Sequence, residues 1–198
     1  MSTSIELYNQ AMMKIGADRI TAFGTDSEAQ MEAALGDTIY NTEKRALLRS
    51  YAWNCCIKRA TLAQRTEAPP NQFSHAFALP SDNLRVLEVR AGDYELINRN
   101  GEGVRAYVIE GKTVLTNETN IIAKYIADID ESLFDSHLEE VLVAKLAFES
   151  VYAIGQSASA HSTFGSIYEG KLNEARITDS LENPRVVLKV NTLNVVRR

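Results

Sequence analysis

The segment from Ser136 to Tyr152 most constrains the fold, because it predicts a helix that is apolar around most of its circumference. Ser136 and Glu139 have the spacing of an N-terminal capping box. Lys145 and Glu149 are the main charged interruptions of the apolar run that follows. A helix of this kind must be covered on several sides, either at the centre of a helical bundle or by a neighbouring subunit. The residues predicted to contact a neighbouring subunit are Val141, Phe148 and Tyr152.

Two earlier segments also predict helices. The first runs from Ser4, as its N-cap, to Ile15, and Gly16 supplies the stop. The second starts at Ser27 and Gln30, which have the spacing of a capping box, and continues to the single tryptophan of the chain. Each carries apolar residues at helical spacing, so each is expected to bury one face.

Trp53 lies in the stretch ALLRSYAWNCCIKRATLA, residues 46–63, where this long helix gives way to another kind of structure. A tryptophan at a helix end typically anchors a junction, since its ring is buried and its N–H still finds a partner. Cys55 and Cys56 follow directly, and adjacent cysteines rarely reach disulfide geometry without strain. We interpret them as thiols beside a structural anchor.

Residues 70–128 predict a small antiparallel β region, which Pro69 separates from the preceding helix. Several short segments rich in β-branched residues lie here, and Glu110, Gly111 and Lys112 supply a tight hairpin turn. After residue 155 a last helix is expected, with one apolar face. That face consists of Phe164, Tyr168, Leu172 and Ala175.

Taken together, the pattern predicts an α+β protein that is mainly α. We expect a helical bundle with an inserted small antiparallel β domain and an extended C-terminal tail. The expected parts are a helical core in two pieces, 1–68 and 130–182, a β insertion at 69–129, and a tail at 183–198.

The tail differs from the rest of the chain in charge and pattern. The chain carries a net charge of −5 and the tail +4, which leaves −9 on residues 1–182. Apolar and β-branched residues occupy both parities of the tail, as in an extended strand covered on both faces. Either the tail adds back to the protein's own β region, or it docks onto a partner by strand addition. The candidate docking residues are Arg185, Val187, Lys189, Leu193, Val195, Arg197 and Arg198.

Signals of catalytic chemistry are weak throughout the chain. The three histidines and two cysteines lack the spacing of a metal site, and Gly101 and Gly103 lie in a hairpin loop without the helix that a nucleotide site needs. Net negative charge argues against binding to duplex DNA. The acidic run at 128–131 could supply carboxylates to a hydrolase, although such a run is usually a solvated loop. We expect no catalytic, metal or cofactor-binding residues and no membrane segment.

Three stretches of this sequence resemble the tail tubular protein A family, the head-to-tail adaptors of short-tailed bacteriophages. LYNQAMMKIGADRITAF with the following GTDSEA is similar to the family's opening helix and link. YAWNCCIKRATLA is similar to its helix end, although Cys55 replaces an expected aromatic residue, and FALPSDNLRVLEV resembles its strand pair. The resemblance covers roughly residues 4–182.

The resemblance implies a structural protein of the virion, made in the host cytoplasm and without enzymatic activity. Family members assemble as rings, commonly dodecameric, between the portal protein and the tail nozzle protein, and DNA passes through the lumen without sequence-specific binding. The alternative hypothesis is a virion-associated cell-wall hydrolase that acts on peptidoglycan or another carbohydrate.

Overall fold

Two pairs of helices bracket a block of strands. The computed structural model describes residues 2–24, 29–67, 69, 73–98, 106–155 and 157–182. The α-helices of these residues are α1 (Ser4–Ile15), α2 (Gln30–Ser50), α3 (Ser136–Gly155) and α4 (Ala158–Glu182). The strands are β1 (Ile57–Thr61), β2 (Ala63–Gln64), β3 (His75–Ala78), β4 (Asn83–Ala91), β5 (Tyr94–Glu95), β6 (Ile97–Asn98), β7 (Ala106–Glu110), β8 (Thr113–Thr116) and β9 (Ile121–Ala127). Short 3₁₀ turns at Asn54–Cys56 and Glu131–Leu133 connect the strand block to the helices.

The strands form two sheets. The first has the order β1-β9-β4-β5 and is antiparallel, with a register that pairs Ile57 with Ile126 and Thr61 with Ile122. The second has the order β2-β3-β8-β7-β6, and only its β6–β7 pair is parallel. The predicted hairpin is confirmed between β7 and β8, where Gly111 has a φ of +58°.

The prediction of a helical bundle with an inserted β domain is wrong, because the helices and the sheets share one core. About 51% of the described residues are helical and 24% are in strands, so this is a mixed α/β fold. A single buried cluster takes side chains from all four helices and from both sheets. Its members include Leu7, Leu48, Val89, Val114, Ile126, Leu142 and Ala175. The sheets also begin earlier than expected, since β1 starts at Ile57, before the expected boundary at residue 69.

Helix α3 lies at the centre of the helical layer, and α1, α2 and α4 all pack against it. Its buried residues run without interruption from Val141 to Ala147. Even Lys145 is only 9% exposed, because its Nζ lies 2.8 Å from the Glu43 carboxylate and donates to the Glu43 carbonyl at 3.2 Å. Its own chain therefore covers the apolar helix that the sequence predicts.

Helix α1 has the predicted bounds, but its cap differs from the expected one. Thr3, not Ser4, is the N-cap, and its Oγ1 accepts a hydrogen bond from the Glu6 N–H at 3.3 Å. The Glu6 carboxylate accepts one in return from the Thr3 N–H at 2.8 Å, which completes a capping box. Gly16 ends the helix in the left-handed conformation, with a φ of +75°. Helix α2 begins at Gln30, and Ser27 of its predicted capping box lies outside the described residues.

An aromatic contact ties α1 to α2 through the link between them. Phe23 lies 5.6 Å from the Tyr8 ring and 5.3 Å from the Tyr40 ring, measured between centroids. Gly36 makes this contact possible, since a Cβ at this position would lie 2.9 Å from atoms of both Phe23 and Tyr8. The Tyr8 hydroxyl donates to the Glu32 carbonyl at 2.9 Å. The two helices are thus locked together at one point of close approach.

Trp53 lies buried at the junction of α2 with β1, and 2% of its surface is exposed. Its indole N–H donates to the Leu47 carbonyl, near the end of α2, at 3.2 Å. Its ring packs edge-on against Tyr51, with centroids 4.8 Å apart. The side chain therefore closes the end of the helix and supports the entry into the first sheet.

We expect Trp53→Ala to lower the free energy of unfolding by about 3–5 kcal/mol, because it empties a fully packed aromatic site. Chemical denaturation followed by circular dichroism measures this loss. Leu133→Ala is the control, since Leu133 is 60% exposed and its truncation should change stability by less than about 0.5 kcal/mol. Equal stability of the Trp53→Ala and wild-type proteins would contradict the anchoring role.

Candidate assembly surface

Helix α4 covers one side of α3 with the apolar face that the sequence predicts. Phe164, Tyr168, Leu172 and Ala175 of this face all pack against the core. The helix starts where Ser157 accepts a hydrogen bond from the Ala160 N–H at 3.3 Å. One face of α4 thus packs against α3 and the core, and the opposite face points outward.

The outward half of α4 carries large apolar side chains that no other described residue covers. Ile167 is 44% exposed, Ile177 is 62% exposed and Leu181 is 75% exposed. At 100° per residue, these three lie on the same side as several small residues. We call this surface the α4 outer face and define it by Ser159, Ser162, Ser166, Ile167, Gly170, Ile177 and Leu181. The exposed polar residues Thr163, Asn173 and Glu174 lie within the same arc.

Small side chains let another backbone approach the α4 outer face closely. A Cβ at Gly170 would meet no atom within 4 Å, so the surface is open at its middle. Exposed Ile and Leu side chains are common singly, but three on one helix face with small neighbours provide a contact surface for another protein element.

A separate aromatic cluster lies between α3 and α4, on the side of α4 opposite to the α4 outer face. The His161 ring lies 4.4 Å from the Phe148 ring and 6.0 Å from the Tyr152 ring, measured between centroids. Phe148 also stacks on Tyr168 at 6.2 Å. Tyr152 is 57% exposed and lines an open groove of about 400 Å³. The groove is bounded by Glu149, Tyr152, Ala153, Ala158 and His161.

Glu149 lines this groove, and its surroundings shift the pKa of its carboxyl. Burial raises the pKa of the Glu149 carboxyl, and the nearby Glu43 carboxylate raises it further. Lys145 and His161 act in the opposite direction on this pKa, with smaller effects. The groove therefore offers an aromatic wall beside a carboxyl group that is easier to neutralise than an ordinary Glu.

The structure separates the three residues predicted to contact a neighbouring subunit. Val141 is completely buried in the core of its own chain, so the expectation that it contacts another subunit is corrected. Phe148 is half-buried beneath α4, where Gly165 lets it approach, since a Cβ there would lie 3.2 Å from its ring. Tyr152 alone reaches the surface. Because the sequence of α3 is apolar around most of the helix, it did not show which of these three residues would be buried and which exposed.

The tail residues predicted to dock lie outside the described residues. They are Arg185, Val187, Lys189, Leu193, Val195, Arg197 and Arg198. The α4 outer face itself was not identified from sequence, since Ile167, Ile177 and Leu181 fall off the main apolar stripe. The sequence did contain one signal for this surface, since three large apolar residues lie opposite the main apolar stripe of α4.

The acidic run at 128–131 holds α2 to the link before α3. Lys44 Nζ lies 3.6 Å from Asp128 and 3.2 Å from Glu131, and Lys44 is only 8% exposed. The Tyr40 hydroxyl donates to Glu131 at 3.0 Å. Asp130 accepts from the Ser132 N–H at 3.0 Å, and hydrogen bonds from Ser132 lower the pKa of its carboxyl. These contacts give the carboxylates a structural role, which weakens the hypothesis of a hydrolase that draws on them.

Metal sites and membrane-spanning helices are both absent from the described part of the chain. No group of three or more His, Cys, Asp or Glu side chains there has an arrangement that could hold a metal ion. Its helices also include none with the length and apolar character needed to cross a membrane. Cys55 and Cys56 are free thiols with sulfur atoms 3.7 Å apart.

The C-terminal end of α4 is fixed to the Trp53 junction by a buried carboxylate. Asp179 Oδ1 accepts a hydrogen bond from the Asn54 N–H at 2.9 Å, and the Asp179 carbonyl accepts one from Asn54 Nδ2 at 2.8 Å. Asp179 is 6% exposed, and its Oδ2 has no hydrogen-bond partner among the described residues. Burial raises the pKa of this carboxyl above its ordinary value of 3.8.

We expect Asp179→Asn to stabilise the protein near neutral pH. Because its folded-state pKa is raised, the ionised Asp179 disfavours folding at high pH, and this cost disappears as the carboxyl is protonated. The difference in free energy of unfolding should therefore shrink as the pH falls towards 3.8. Urea unfolding at several pH values measures it. Glu169→Gln, at an exposed position on the same helix, controls for removal of one charge.

A difference between Asp179→Asn and wild type that grew with falling pH would contradict this account. The comparison between the two proteins cancels the contribution of titrating groups that do not interact with Asp179, whereas Glu182 and Asp135 act on its carboxyl.

A scan against models of protein families found none that matches this chain, and a search of curated proteins found no significant match.

Proposed function

We propose that this chain is a structural head-to-tail adaptor of a phage virion, a tail tubular protein that assembles as a ring between portal and nozzle. The α4 outer face is the observation that carries the proposal. It presents Ile167, Ile177 and Leu181 to solvent on a helix whose other side is already packed. Burying such side chains in a subunit contact is worth about 25 cal/mol for each Å² of apolar area removed from water.

Ring assembly places a particular demand on such a surface. In a cyclic ring each subunit uses two different patches, one for each neighbour, so the α4 outer face would serve one side of every contact. The Tyr152 groove, at the turn between α3 and α4, lies on the other side of α4 and is a separate surface. We expect a dodecameric ring on the basis of the family resemblance.

The charge distribution supports passage of DNA without binding. Residues 1–182 carry −9, which follows from −5 for the whole chain and +4 for the tail. A lumen wall of this charge repels phosphate, so DNA would move through the ring without being held. The cationic tail is available for a different task, which we propose is contact with the portal protein.

Ile177→Glu is expected to weaken ring formation more than about tenfold, since it buries an unpaired charge in the subunit contact. Electron microscopy of the purified protein mixed with its portal protein counts the rings, and sedimentation measures self-association. Ile97→Glu is the matched control, because Ile97 is 55% exposed on β6, at the sheet side of the molecule.

Equal loss of rings in both variants would show that the α4 outer face has no special role. A wild-type protein that stayed monomeric in every condition and failed to bind portal would overturn the adaptor proposal itself. Degradation of peptidoglycan that disappeared on changing one carboxylate would favour the hydrolase instead.

Deleting residues 184–198 is expected to leave a folded protein with weakened binding to portal. The members of the buried cluster among the described residues end at Ala175, so the deletion leaves all of them in place. Circular dichroism measures folding, and surface plasmon resonance with immobilised portal measures binding. Changing Arg197 and Arg198 to Ala in the full chain tests the cationic end separately. Unchanged portal affinity in the deletion variant would contradict a docking role for the tail.

A further inference from the structure

Glu149 carries a carboxylate that forms no ion pair with any described residue. Lys145 lies one turn earlier on α3, at the spacing at which oppositely charged side chains usually meet. Its Nζ lies instead 2.8 Å from the Glu43 carboxylate and donates to the Glu43 carbonyl at 3.2 Å. Glu43 and Lys145 therefore neutralise each other, and within the described part of the chain Glu149 has no such partner.

The surroundings of this carboxylate are apolar and aromatic. Glu149 shares its groove of about 400 Å³ with two rings, Tyr152 and His161, and with two alanines. The Tyr152 ring is 57% exposed, and the His161 ring is held against Phe148, at 4.4 Å between centroids. An apolar cavity of about 150 Å³ holds a benzene molecule, so this groove has room for one large side chain.

Charge and ring chemistry together select the occupant. An apolar ligand would take water away from Glu149 and offer no partner in return, which costs free energy. An anion would be repelled by the same carboxylate. A cation is attracted both by the carboxylate and by the faces of aromatic rings. Among the cationic side chains arginine fits best, because its guanidinium group is planar and weakly hydrated, and it stacks on rings while donating to a carboxylate.

We propose that the Tyr152 groove binds an arginine side chain of a partner protein, with the guanidinium group against the Tyr152 and His161 rings and its N–H groups donating to Glu149. Partial burial already raises the pKa of the Glu149 carboxyl, so part of the water that a cation would displace is absent before binding. The α4 outer face lies on the other side of α4. The site therefore goes beyond the proposed ring contact, and either can fail without the other.

NMR titration of the full chain with N-acetyl-arginine amide tests the site. N-acetyl-citrulline amide, which has nearly the same shape without the charge, is the control ligand, and both are added at constant ionic strength. We expect the arginine derivative to shift the ring resonances of Tyr152 and His161 and to bind at least about tenfold more tightly than the citrulline derivative. Equal binding of the two ligands, or no shift at either ring, would overturn the proposal.

Two charge variants of the full chain provide a matched pair. Glu149→Gln keeps the shape of the side chain and removes its charge, so it should weaken arginine binding about fivefold. Glu169→Gln removes one charge at an exposed position of α4 that does not line the groove, and it should leave the affinity unchanged. Circular dichroism checks that both variants fold. Equal affinity of the Glu149→Gln and wild-type proteins would contradict the assignment.

The carboxyl itself gives a second readout. A bound cation favours the ionised form, so arginine amide should lower the pKa of Glu149 towards its ordinary value of 4.5, and citrulline amide should not. The other titratable groups that act on this carboxyl are Glu43, Lys145 and His161, so the pKa is read from the carbon-13 resonance of Glu149 alone. An unchanged pKa at saturating arginine amide would overturn the proposal.

Sedimentation of the Glu149→Gln variant identifies the source of the arginine. We expect its self-association to equal that of the wild-type protein, because the arginine belongs to a different protein. Loss of self-association in this variant would place the arginine on a second copy of this chain, which would overturn the assignment to a partner.

Discussion

The burial of α3 is the constraint on which the remaining structure depends. A helix that is apolar on nearly every side can be stable in water only if other elements surround it, and α1, α2 and α4 do so. One charged side chain within this burial, Lys145, is tolerated because Glu43 on α2 lies against it at 2.8 Å. The first sheet belongs to the same buried cluster and contacts the helical layer through α2. The same requirement determines which side of α4 faces inward.

The sequence predicted local structure well where the signal is local. The bounds of α1, the left-handed Gly16, the hairpin at Gly111 and the inward face of α4 all follow from residue types at fixed spacing. It did not predict that helices and sheets share one core. Periodicity identifies a buried face but does not identify the element that covers it, so the contacts of α2 with β4 and β9 were not predicted.

The candidate assembly surface was harder to predict for a related reason. Val141, Phe148 and Tyr152 were predicted together as subunit contacts, yet Val141 is completely buried and Tyr152 is 57% exposed. Val141 and Tyr152 are eleven positions apart and lie on nearly the same side of α3, so their different exposure depends on how far along the helix the other elements cover it. Ile177 and Leu181 are of residue types that are usually buried, so their exposure becomes visible only in the structure.

The close approach at Gly36 has a consequence for recognising distant relatives of this chain. No other residue fits there without moving the rings of Phe23 and Tyr8, because a Cβ would lie 2.9 Å from each. A protein that keeps this helix crossing must therefore keep a glycine in the second helix, together with aromatic partners in the first helix and in the link. These three positions form a structural fingerprint that can be sought where overall similarity has vanished.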